Sequence, residues 1–311
     1  MKILLTGVSG QLGAALLDLL AGEHEVIAAD RQMLDLSQPA SIENAIDQIR
    51  PDLIINPAAY TAVDKAETDT ETAFAVNALA PQAMARAAKR LQIGLIHYST
   101  DYVFDGSLGT DQPQTGLPAY TETYACNPVN QYGKTKYEGE LAIQESQCQH
   151  LIFRTSWVYS LHGKNFLLTM LRLANERDHL RVVNDQFGAP TSALSIAQVT
   201  QQIVRQLAAA PDKAAWWQQF QGLYNLTNTG YTSWFGFTTA IVQQAGLRGL
   251  LNKAAPVLEG IPASDYPTPA KRPVNSRLDT QKIQQAFSVS IPDWQNALAE
   301  CLDQQHPFAS S

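Results

Sequence analysis

The sequence has few cysteines, a deficit of basic residues and no long apolar run, and each shortage excludes a class of protein. The three cysteines, Cys126, Cys148 and Cys301, lie far apart and not in the CxxC spacing of metal and redox sites, so we expect free thiols. A formal net charge of -7 argues against a nucleic-acid partner, which needs clustered Lys and Arg. No stretch approaches the ~20 apolar residues that span a bilayer. We therefore expect a cytoplasmic protein that binds neither nucleic acid nor a membrane.

The first half of the chain alternates short apolar strands with helical segments. Ile42, Ile46 and Ile49 lie on one helical stripe, and Pro51 ends that helix just before the next strand. The strands are predicted at 2–6, 25–29, 52–56, 93–98 and 151–155. This alternation is typical of a parallel sheet that helices cover on both faces. We therefore predict an α/β fold with a Rossmann-like, doubly wound parallel sheet.

After about residue 156 the alternation becomes irregular. The predicted elements are helices at 165–177, 193–209 and 233–245, strands at 180–183 and 223–227, and two short C-terminal helices. The order is too irregular to continue a doubly wound sheet, so we interpret it as a smaller, interleaved C-terminal lobe for the substrate. The expected division is a nucleotide-binding domain at 1–156 and a mainly substrate-binding lobe at 157–311, with some segments returning to the first domain.

Three glycines follow the first strand in the spacing Gly-x-x-Gly-x-x-Gly. Gly7, Gly10 and Gly13, with Gln11 and Leu12 between the last two, open a predicted helix. Glycine permits a tight turn there and lets backbone N–H groups approach a pyrophosphate, to which the helix N-terminus adds partial positive charge. Because the motif stands between a strand and a helix, it predicts a dinucleotide site rather than an ordinary glycine-rich turn.

Residues after the second strand extend the predicted dinucleotide site. Asp30 ends that strand, where a carboxylate accepts hydrogen bonds from the adenosine ribose and favours NADH. Arg31 follows it and can neutralise a 2′-phosphate, which leaves NADPH open. Asp35 and Leu36 lie where a short loop would flank the adenine, although an acidic surface loop is an equal alternative.

Small residues follow the third strand. They are Ala58, Ala59, Tyr60 and Thr61. Bulk at the carboxyl end of this strand would collide with a bound dinucleotide, whereas a plain strand-to-helix connection does not require such a run. We expect this segment to form the floor under the ribose and pyrophosphate.

Tyr132 and Lys136 stand four residues apart, so both side chains project from one helical face. A phenol with a pKa near ~10 exchanges protons poorly at neutral pH until a nearby ammonium stabilises its phenolate. The fourth strand ends in Ser99, Thr100 and Asp101, which brings a hydroxyl group to the same edge of the sheet. A hydroxyl and a tyrosine that converge on a carbonyl oxygen polarise it while hydride arrives at the carbon. This combination predicts a ketone reductase that uses NADPH or NADH.

These elements, in this order, resemble the extended short-chain dehydrogenase/reductase superfamily, and longer blocks are similar to its dTDP-4-dehydrorhamnose reductase family. The blocks are NPAAYTAVDKAE (56–67), HYSTDYVF (97–104), RTSWVY (154–159), NDQFGAPT (184–191), YPTPAKRP (266–273) and SRL (276–278). The resemblance runs nearly from end to end. It implies reduction of the C4 ketone of dTDP-4-dehydro-L-rhamnose to dTDP-L-rhamnose, the last step in the synthesis of that sugar donor.

The resemblance also implies roles for individual residues. Tyr132 would donate the proton with Lys136 as its partner, and Thr100 would orient the sugar oxygen with Asp101 beside it. Trp157 would contact the sugar, since a flat aromatic face suits the apolar side of a deoxyhexose; ordinary core burial is the alternative. Two further residues would meet the substrate diphosphate, or would form a solvated basic pair: Lys271 and Arg272.

Two departures from the family pattern leave questions open. The loop between Phe104 and Asn127 is longer than the usual connection and borders the substrate side, so the exact nucleotide and sugar are less secure than the chemistry. Some family members carry a glutamate after the third glycine that helps to hold magnesium between two subunits, but Ala14 and Ala15 stand here. A magnesium-bridged dimer is therefore doubtful, and either a monomer or a homodimer is open. The six histidines show no metal-ligand spacing, and His97, inside an apolar strand, is interpreted as a core residue.

Other functions remain as alternatives. The first is a reductase, epimerase or dehydratase that acts on another nucleotide sugar. A dehydratase would need an acid-base carboxylate pair after the strand-end hydroxyl, but Tyr102 rather than a glutamate follows Asp101. The second is a non-catalytic regulatory subunit of the same fold, such as the chain that accompanies methionine adenosyltransferase, although the presence of Thr100, Tyr132 and Lys136 together argues against it.

Overall fold

A six-stranded parallel sheet forms the centre of the fold. The computed structural model describes residues 1–110, 116 and 118–304. The strands are β1 (Lys2–Leu5), β2 (Glu25–Ala28), β3 (Leu53–Asn56), β4 (Gly94–Thr100), β5 (Gln149–Thr155), β6 (Val158–Tyr159), β7 (His179–Val183), β8 (Phe187–Gly188), β9 (Thr191–Ser192), β10 (Gly222–Asn225), β11 (Thr232–Ser233), β12 (Val257–Ile261) and β13 (Asn275–Ser276). The central sheet has the order β10-β5-β4-β3-β1-β2, and all its pairs are parallel.

Helices cover both faces of this sheet. They are α1 (Gln11–Leu20), α2 (Pro39–Ile49), α3 (Val63–Ala66), α4 (Thr70–Phe74), α5 (Ala80–Leu91), α6 (Gln131–Ser146), α7 (Phe166–Glu176), α8 (Ala193–Ala209), α9 (Lys213–Phe220), α10 (Trp234–Leu247), α11 (Gln281–Phe287) and α12 (Trp294–Asp303). Successive residues of a strand pack into two different cores, because their side chains point to opposite faces of the sheet. Ile3 and Leu5 pack with α1, α8 and α11, whereas Leu4 packs with α2 and α5.

The fold class predicted from the sequence is confirmed, but one strand was misjudged. The irregular order after residue 156 indicated that the central sheet ends at β5, whereas β10 pairs with β5 in parallel and becomes its sixth strand. Because α7, α8, α9 and several short strands lie between these two strands in sequence, the regular spacing that marks a doubly wound sheet is lost.

A separate core forms beside the carboxyl ends of the central strands. It gathers apolar residues of α7, α10 and α12 and of the two-stranded β7–β12 sheet, including Leu167, Phe237 and Leu298. The short strands β8, β11 and β13 form a further small sheet. The boundary at residue 156 stays a prediction, because α8 and β10 from the second half belong to the central sheet and its cover.

No helix within the described part of the chain is both long enough and apolar enough to cross a membrane.

Candidate active site

The glycine loop lies between β1 and α1 and is packed too tightly for side chains. Gly7 has a φ of 59°, and a Cβ atom there would lie 2.9 Å from the Ala58 backbone. A Cβ atom at Gly13 would lie 2.0 Å from the Gly7 carbonyl oxygen. Gly10 is the N-cap of α1 and has no side chain to accept from the first-turn N–H groups. The loop is therefore a backbone cradle at a positive helix end, which fits the pyrophosphate of a dinucleotide.

Two residues inside this loop use their side chains elsewhere. Gln11 Oε1 accepts hydrogen bonds from Ser160 Oγ at 3.1 Å and Asn165 Nδ2 at 2.8 Å, which ties the loop to the segment before α7. Leu12 is buried in the core under α1. Both can therefore serve a phosphate only through their backbone N–H groups.

The segment after β3 is fixed by an asparagine that sequence reasoning missed. Asn77 Oδ1 accepts from the Tyr60 N–H at 2.8 Å, and its Nδ2 donates to the Tyr60 carbonyl and to Thr135 Oγ1, both at 3.1 Å. Asn77 lies in a π-helical turn, Ala75–Leu79, that joins α4 to α5. Such turns often occur at functional sites, and this one connects residues 58–61 to the helix that carries Tyr132. An asparagine inside an otherwise alanine-rich helix was the available signal.

The loop after β2 places its four candidate residues differently. Asp30 Oδ1 accepts from the N–H groups of Gln32 and Met33, both at 2.9 Å, and shapes the turn. Arg31 is 81% exposed and lies 3.6 Å from Asp35. Leu36 is buried in the core beside α2, and its place beside the adenine stays a prediction.

Two glycines let α6 pack closely on its neighbours. A Cβ atom at Gly133 would lie 2.1 Å from the Tyr102 carbonyl oxygen, just after β4, and one at Gly139 would lie 2.2 Å from the carbonyl oxygen of Asn77 in the π turn. The helix begins at Asn130, whose Oδ1 accepts from the Gly133 N–H at 2.8 Å. This close approach places Tyr132, in the first turn of α6, beside the end of β4.

Tyr132 is half-buried and is surrounded by polar groups from the end of β4. Its ring packs edge-to-face on Tyr102 at 5.5 Å between centroids. Burial raises the pKa of the Tyr132 phenol above its ordinary value, although interaction with the Thr100 hydroxyl lowers it. The sequence-based expectation that Lys136 lowers this pKa stays a prediction.

Lys136 is buried and directed into the sheet. Its Nζ donates to the Tyr98 carbonyl at 2.6 Å and lies 3.2 Å from His97 Nε2. Burial lowers the pKa of Lys136 to about 8. The negative charge of Glu140 acts in the opposite direction and raises this pKa. Lys136 thus stays mainly protonated at neutral pH, one helical turn from Tyr132.

Several buried oxygen atoms lie at the carboxyl ends of β4 and β5. The Thr100 hydroxyl donates to Asp101 Oδ1 at 3.1 Å. Asp101 Oδ2, Ser99 Oγ and Thr155 Oγ1 are buried, and each lacks a hydrogen-bond partner within the described part of the chain. Burial raises the pKa of Asp101 to about 6. Unsatisfied buried polar atoms are costly, which marks this corner as a place where a polar ligand would be stabilised.

Trp157, two residues after β5, forms an aromatic stack with Trp234. Its backbone has a φ of 48°, and its ring stacks on Trp234 with centroids 3.4 Å apart and planes 8° apart. A Cβ atom at Gly188 would lie 2.6 Å from this ring, so glycine is needed for the indole to fit. The tryptophan is thus held by packing from β8 and α10 rather than placed on a loop.

A large cavity lies beside the core of α7, α10 and α12, and Trp234 is part of its wall. Its volume is about 1010 Å³, and it is lined by α7, β7 and the segment from Ala263 to Arg272. The predicted pair Lys271 and Arg272 lies at its edge, but sequence reasoning missed three other basic residues in its wall. These are the arginines Arg177 and Arg181, and the histidine His179. They lie far from Lys271 in sequence, and no local pattern connects them to it.

Arg272 is partly neutralised within the protein. Its Nη2 lies 2.7 Å from Asp64 Oδ2, and its Nη1 donates to the Tyr102 hydroxyl at 3.3 Å. The backbone beside it is held as well, since Asn130 Nδ2 donates to the Lys271 carbonyl at 2.8 Å. Arg272 therefore links the cavity wall to Tyr102. Lys271 is the positive charge of this pair that is more available to an anionic ligand.

The structure does not describe the middle of the unusually long loop. Residues 111–115 and 117 lie outside the described residues.

Among the residues that are described, no group of three or more His, Cys, Asp or Glu side chains could hold a metal ion.

Comparisons with known proteins agree with this geometry. The model of the RmlD substrate binding domain family matches residues 1–306. The dTDP-4-dehydrorhamnose reductase of Escherichia coli K12 is 45% identical over 98% of both chains. A solved dTDP-4-dehydrorhamnose reductase of Clostridium acetobutylicum is 32% identical, with a TM-score of 0.85 over 98% of this chain and 99% of that one. The Bacillus anthracis reductase, solved in complex with NADP, is 30% identical, also with a TM-score of 0.85, over 97% of this chain and 99% of that one.

Because a family model covers nearly the whole chain and full-length relatives share almost half of its residues, this chain belongs to the RmlD family of dTDP-4-dehydrorhamnose reductases.

Proposed function

We propose that this protein uses NADPH or NADH to reduce the C4 ketone of dTDP-4-dehydro-L-rhamnose to dTDP-L-rhamnose, the last step of dTDP-rhamnose biosynthesis. One observation carries the proposal: a protonated, half-buried Tyr132 and the Thr100 hydroxyl meet at the end of β4, between a backbone phosphate cradle and a cationic cavity. The near end-to-end similarity to named reductases supports the choice of substrate.

The residues of the cofactor end fit a nicotinamide dinucleotide. The first turn of α1 would hold the pyrophosphate, residues 58–61 would form the floor, and Asp30 with Arg31 would face the adenosine ribose. When bound, this cofactor supplies the hydride. Lys136, on the same face of α6 as Tyr132, would hold the nicotinamide ribose.

Tyr132 donates the proton to the ketone oxygen. Its raised pKa keeps the phenol protonated at neutral pH, which is the form that can donate. The Thr100 hydroxyl beside it, which donates to Asp101 Oδ1 in the free protein, would turn its one hydrogen to the substrate oxygen when the ketone binds. The nearby Lys136 ammonium favours the phenolate that remains after donation.

The far end of the site recognises the nucleotide sugar. The exposed face of Trp157 meets the apolar side of the deoxyhexose, and Lys271 with Arg181 and Arg177 binds the diphosphate through charge-assisted hydrogen bonds. This local cluster lets a protein with a net charge of -7 take an anionic substrate. In this proposal residues 1–156 hold the cofactor and residues 157–311 mainly hold the sugar nucleotide.

The test is an assay of cofactor oxidation with product identification. Purified protein, NADPH or NADH and freshly generated dTDP-4-dehydro-L-rhamnose should give one dTDP-L-rhamnose for each cofactor oxidised, and a UDP-linked keto sugar should react more slowly. Faster reaction with the UDP-linked sugar would overturn the substrate assignment. Tight cofactor binding with no oxidation would overturn the enzyme assignment and favour a regulatory subunit.

A further inference from the structure

A row of buried polar side chains runs under the active site to Lys136. The Thr6 hydroxyl, just after β1, donates to Asn56 Oδ1 at 2.6 Å, and Asn56 Nδ2 lies 3.1 Å from His97 Nδ1. His97 Nε2 lies 3.2 Å from Lys136 Nζ. All four side chains are at most 2% exposed. The row crosses β1, β3 and β4 side by side and ends at the catalytic amine.

Packing of the sheet does not require this row. Asn56 and His97 are register partners on β3 and β4, and their neighbours on these strands, such as Ile55 and Ile96, are apolar and fully buried. A buried polar group destabilises the fold unless it is hydrogen-bonded, so a row of them in the core needs a reason. Burial and the charge of Lys136 also hold the pKa of His97 well below its usual value, so the imidazole is neutral at neutral pH.

The number of N–H donors on the Lys136 ammonium indicates the function of this row of polar side chains. An ammonium group has three N–H donors and no acceptor. The Tyr98 carbonyl takes one at 2.6 Å, and a neutral His97 can take a second through Nε2. One donor is then left for the side of the amine that faces the active site.

We propose that His97 is a positioning residue for Lys136: its Nε2 atom, held from behind by Asn56 and Thr6, fixes the charged amine against the Tyr98 carbonyl and leaves a single hydrogen for the reacting groups. The inference rests on the function proposed above, in which Lys136 supports Tyr132. It replaces the sequence-based interpretation of His97 as a core residue without a role.

The proposal requires one tautomer of His97. If Nε2 accepts from the Lys136 ammonium, the ring proton is on Nδ1 and must be donated to an acceptor. In the structure the amide nitrogen of Asn56 faces the ring, so the proposal requires the Asn56 amide to be reversed, which makes its oxygen the acceptor for Nδ1. The Thr6 hydroxyl can donate or accept, so it satisfies Asn56 with either end of the amide turned toward His97.

The first test reads the tautomer in the full-length protein without cofactor or substrate. Long-range nitrogen-15 correlation spectra at neutral pH should show a neutral His97 with its proton on Nδ1, assigned by loss of the signal in His97→Gln. Lys136→Met should abolish this preference. A wild-type proton on Nε2, or a pattern that Lys136→Met leaves unchanged, would overturn the proposal.

The second test separates positioning from packing. His97→Leu removes the acceptor, whereas the side-chain oxygen of His97→Gln reaches the position of Nε2. His97→Leu should lower kcat at least about tenfold and also raise the KM for the cofactor, because Lys136 would hold the nicotinamide ribose, and His97→Gln should restore most of both. His150→Leu, at the opposite end of the sheet on β5, is the control and should leave kcat unchanged.

The pH profile adds a readout that a packing defect would not move. The titratable and charged groups around Lys136 are His97 on β4, Tyr132 and Glu140 on α6, Asp101 after β4, and Arg154 of β5, which is paired with Glu140. Losing the acceptor at position 97 destabilises the ammonium, so the alkaline limb of kcat should move to lower pH in His97→Leu but not in His97→Gln. Equal losses in both variants with no shift of this limb would overturn the proposal.

Failure of the inference is distinguishable from failure of the proposed function. If the wild-type protein oxidises no cofactor with any keto sugar, the function fails, while the tautomer measurement still decides how Lys136 is held. If the wild-type protein turns over and His97→Leu matches it in rate and pH profile, only the role of His97 is overturned.

Discussion

The two ends of the active site are built in opposite ways. The proposed cofactor end consists of short, continuous segments, each directly after a strand: the glycine loop after β1, the turn at Asp30, and residues 58–61. The proposed substrate end is assembled from pieces far apart in sequence, as when Arg272 pairs with Asp64 or Arg181 shares a cavity with Lys271.

The difference follows from what each end must recognise. A pyrophosphate can be bound by backbone N–H groups, so the requirement falls on local backbone geometry and appears in sequence as glycine spacing. A nucleotide sugar needs side chains on several sides, and only the tertiary fold brings those together. The catalytic residues lie between the two cases, since Tyr132 and Lys136 form a local pattern but Thr100 comes from another strand.

The largest effect on kcat should come from Tyr132, which lies where the two ends of the site meet. Tyr132→Phe removes the proton donor while keeping the ring that packs on Tyr102, so kcat should fall about 10³-fold with nearly unchanged cofactor binding. Steady-state kinetics and cofactor titration measure the two quantities. Tyr124→Phe, at a 41% exposed tyrosine, is the control and should have wild-type kcat. Substantial turnover by Tyr132→Phe would remove the tyrosine from its assigned role.

The next largest effect should fall on the cofactor end alone. Gly13→Ala places a methyl group 2.0 Å from the Gly7 carbonyl oxygen, which forces the phosphate cradle open. The Kd for NADPH should rise by about one to two orders of magnitude, and the free energy of unfolding should fall by about 1–3 kcal/mol. Gly22→Ala is the matched control, since nothing lies within 4 Å of its new methyl group. Wild-type affinity in Gly13→Ala would contradict the backbone account of this end.

A smaller effect should distinguish the substrate end from the cofactor end, because it changes substrate binding alone. Lys271→Ala removes a charge at the cavity edge, so the KM for the sugar nucleotide should rise about tenfold while the Kd for NADPH stays constant. The comparison is Lys213→Ala, at the start of α9 near the amino end of β4, where no change is expected. A rise in the cofactor Kd instead would place Lys271 at the wrong end of the site.

The smallest effect concerns the choice of cofactor. Asp30→Asn keeps the oxygen that accepts from Gln32 and Met33 but removes the negative charge. The ratio of kcat/KM for NADPH to that for NADH should rise severalfold, because repulsion of a 2′-phosphate is lost along with a ribose acceptor. Asp18→Asn, exposed on α1, should leave this ratio unchanged. An unchanged ratio in Asp30→Asn would mean that Asp30 only shapes its turn.

Much of the fold could be predicted from local pattern, and the exceptions have physical causes. The helix around Ile42, Ile46 and Ile49 was visible from its apolar stripe, whereas the π turn at Asn77 was not, because one asparagine carries no periodic signal. His97 was recognised as buried from its apolar strand, but its contact with Lys136 depends on how closely Gly133 lets α6 approach the end of β4. The pKa of Tyr132 depends on burial by the whole fold, so the spacing of Tyr132 and Lys136 gave only part of the electrostatics.

The most direct test of the account follows the transferred hydrogen. Reduced cofactor that carries deuterium at the transferable position should be given to the wild-type protein with dTDP-4-dehydro-L-rhamnose in ordinary water, and the product analysed by mass spectrometry and NMR. The account predicts dTDP-L-rhamnose with one deuterium on carbon 4 of the sugar and an ordinary hydrogen on the new hydroxyl group. Deuterium at another carbon, or a product without deuterium, would contradict ketone reduction at this site.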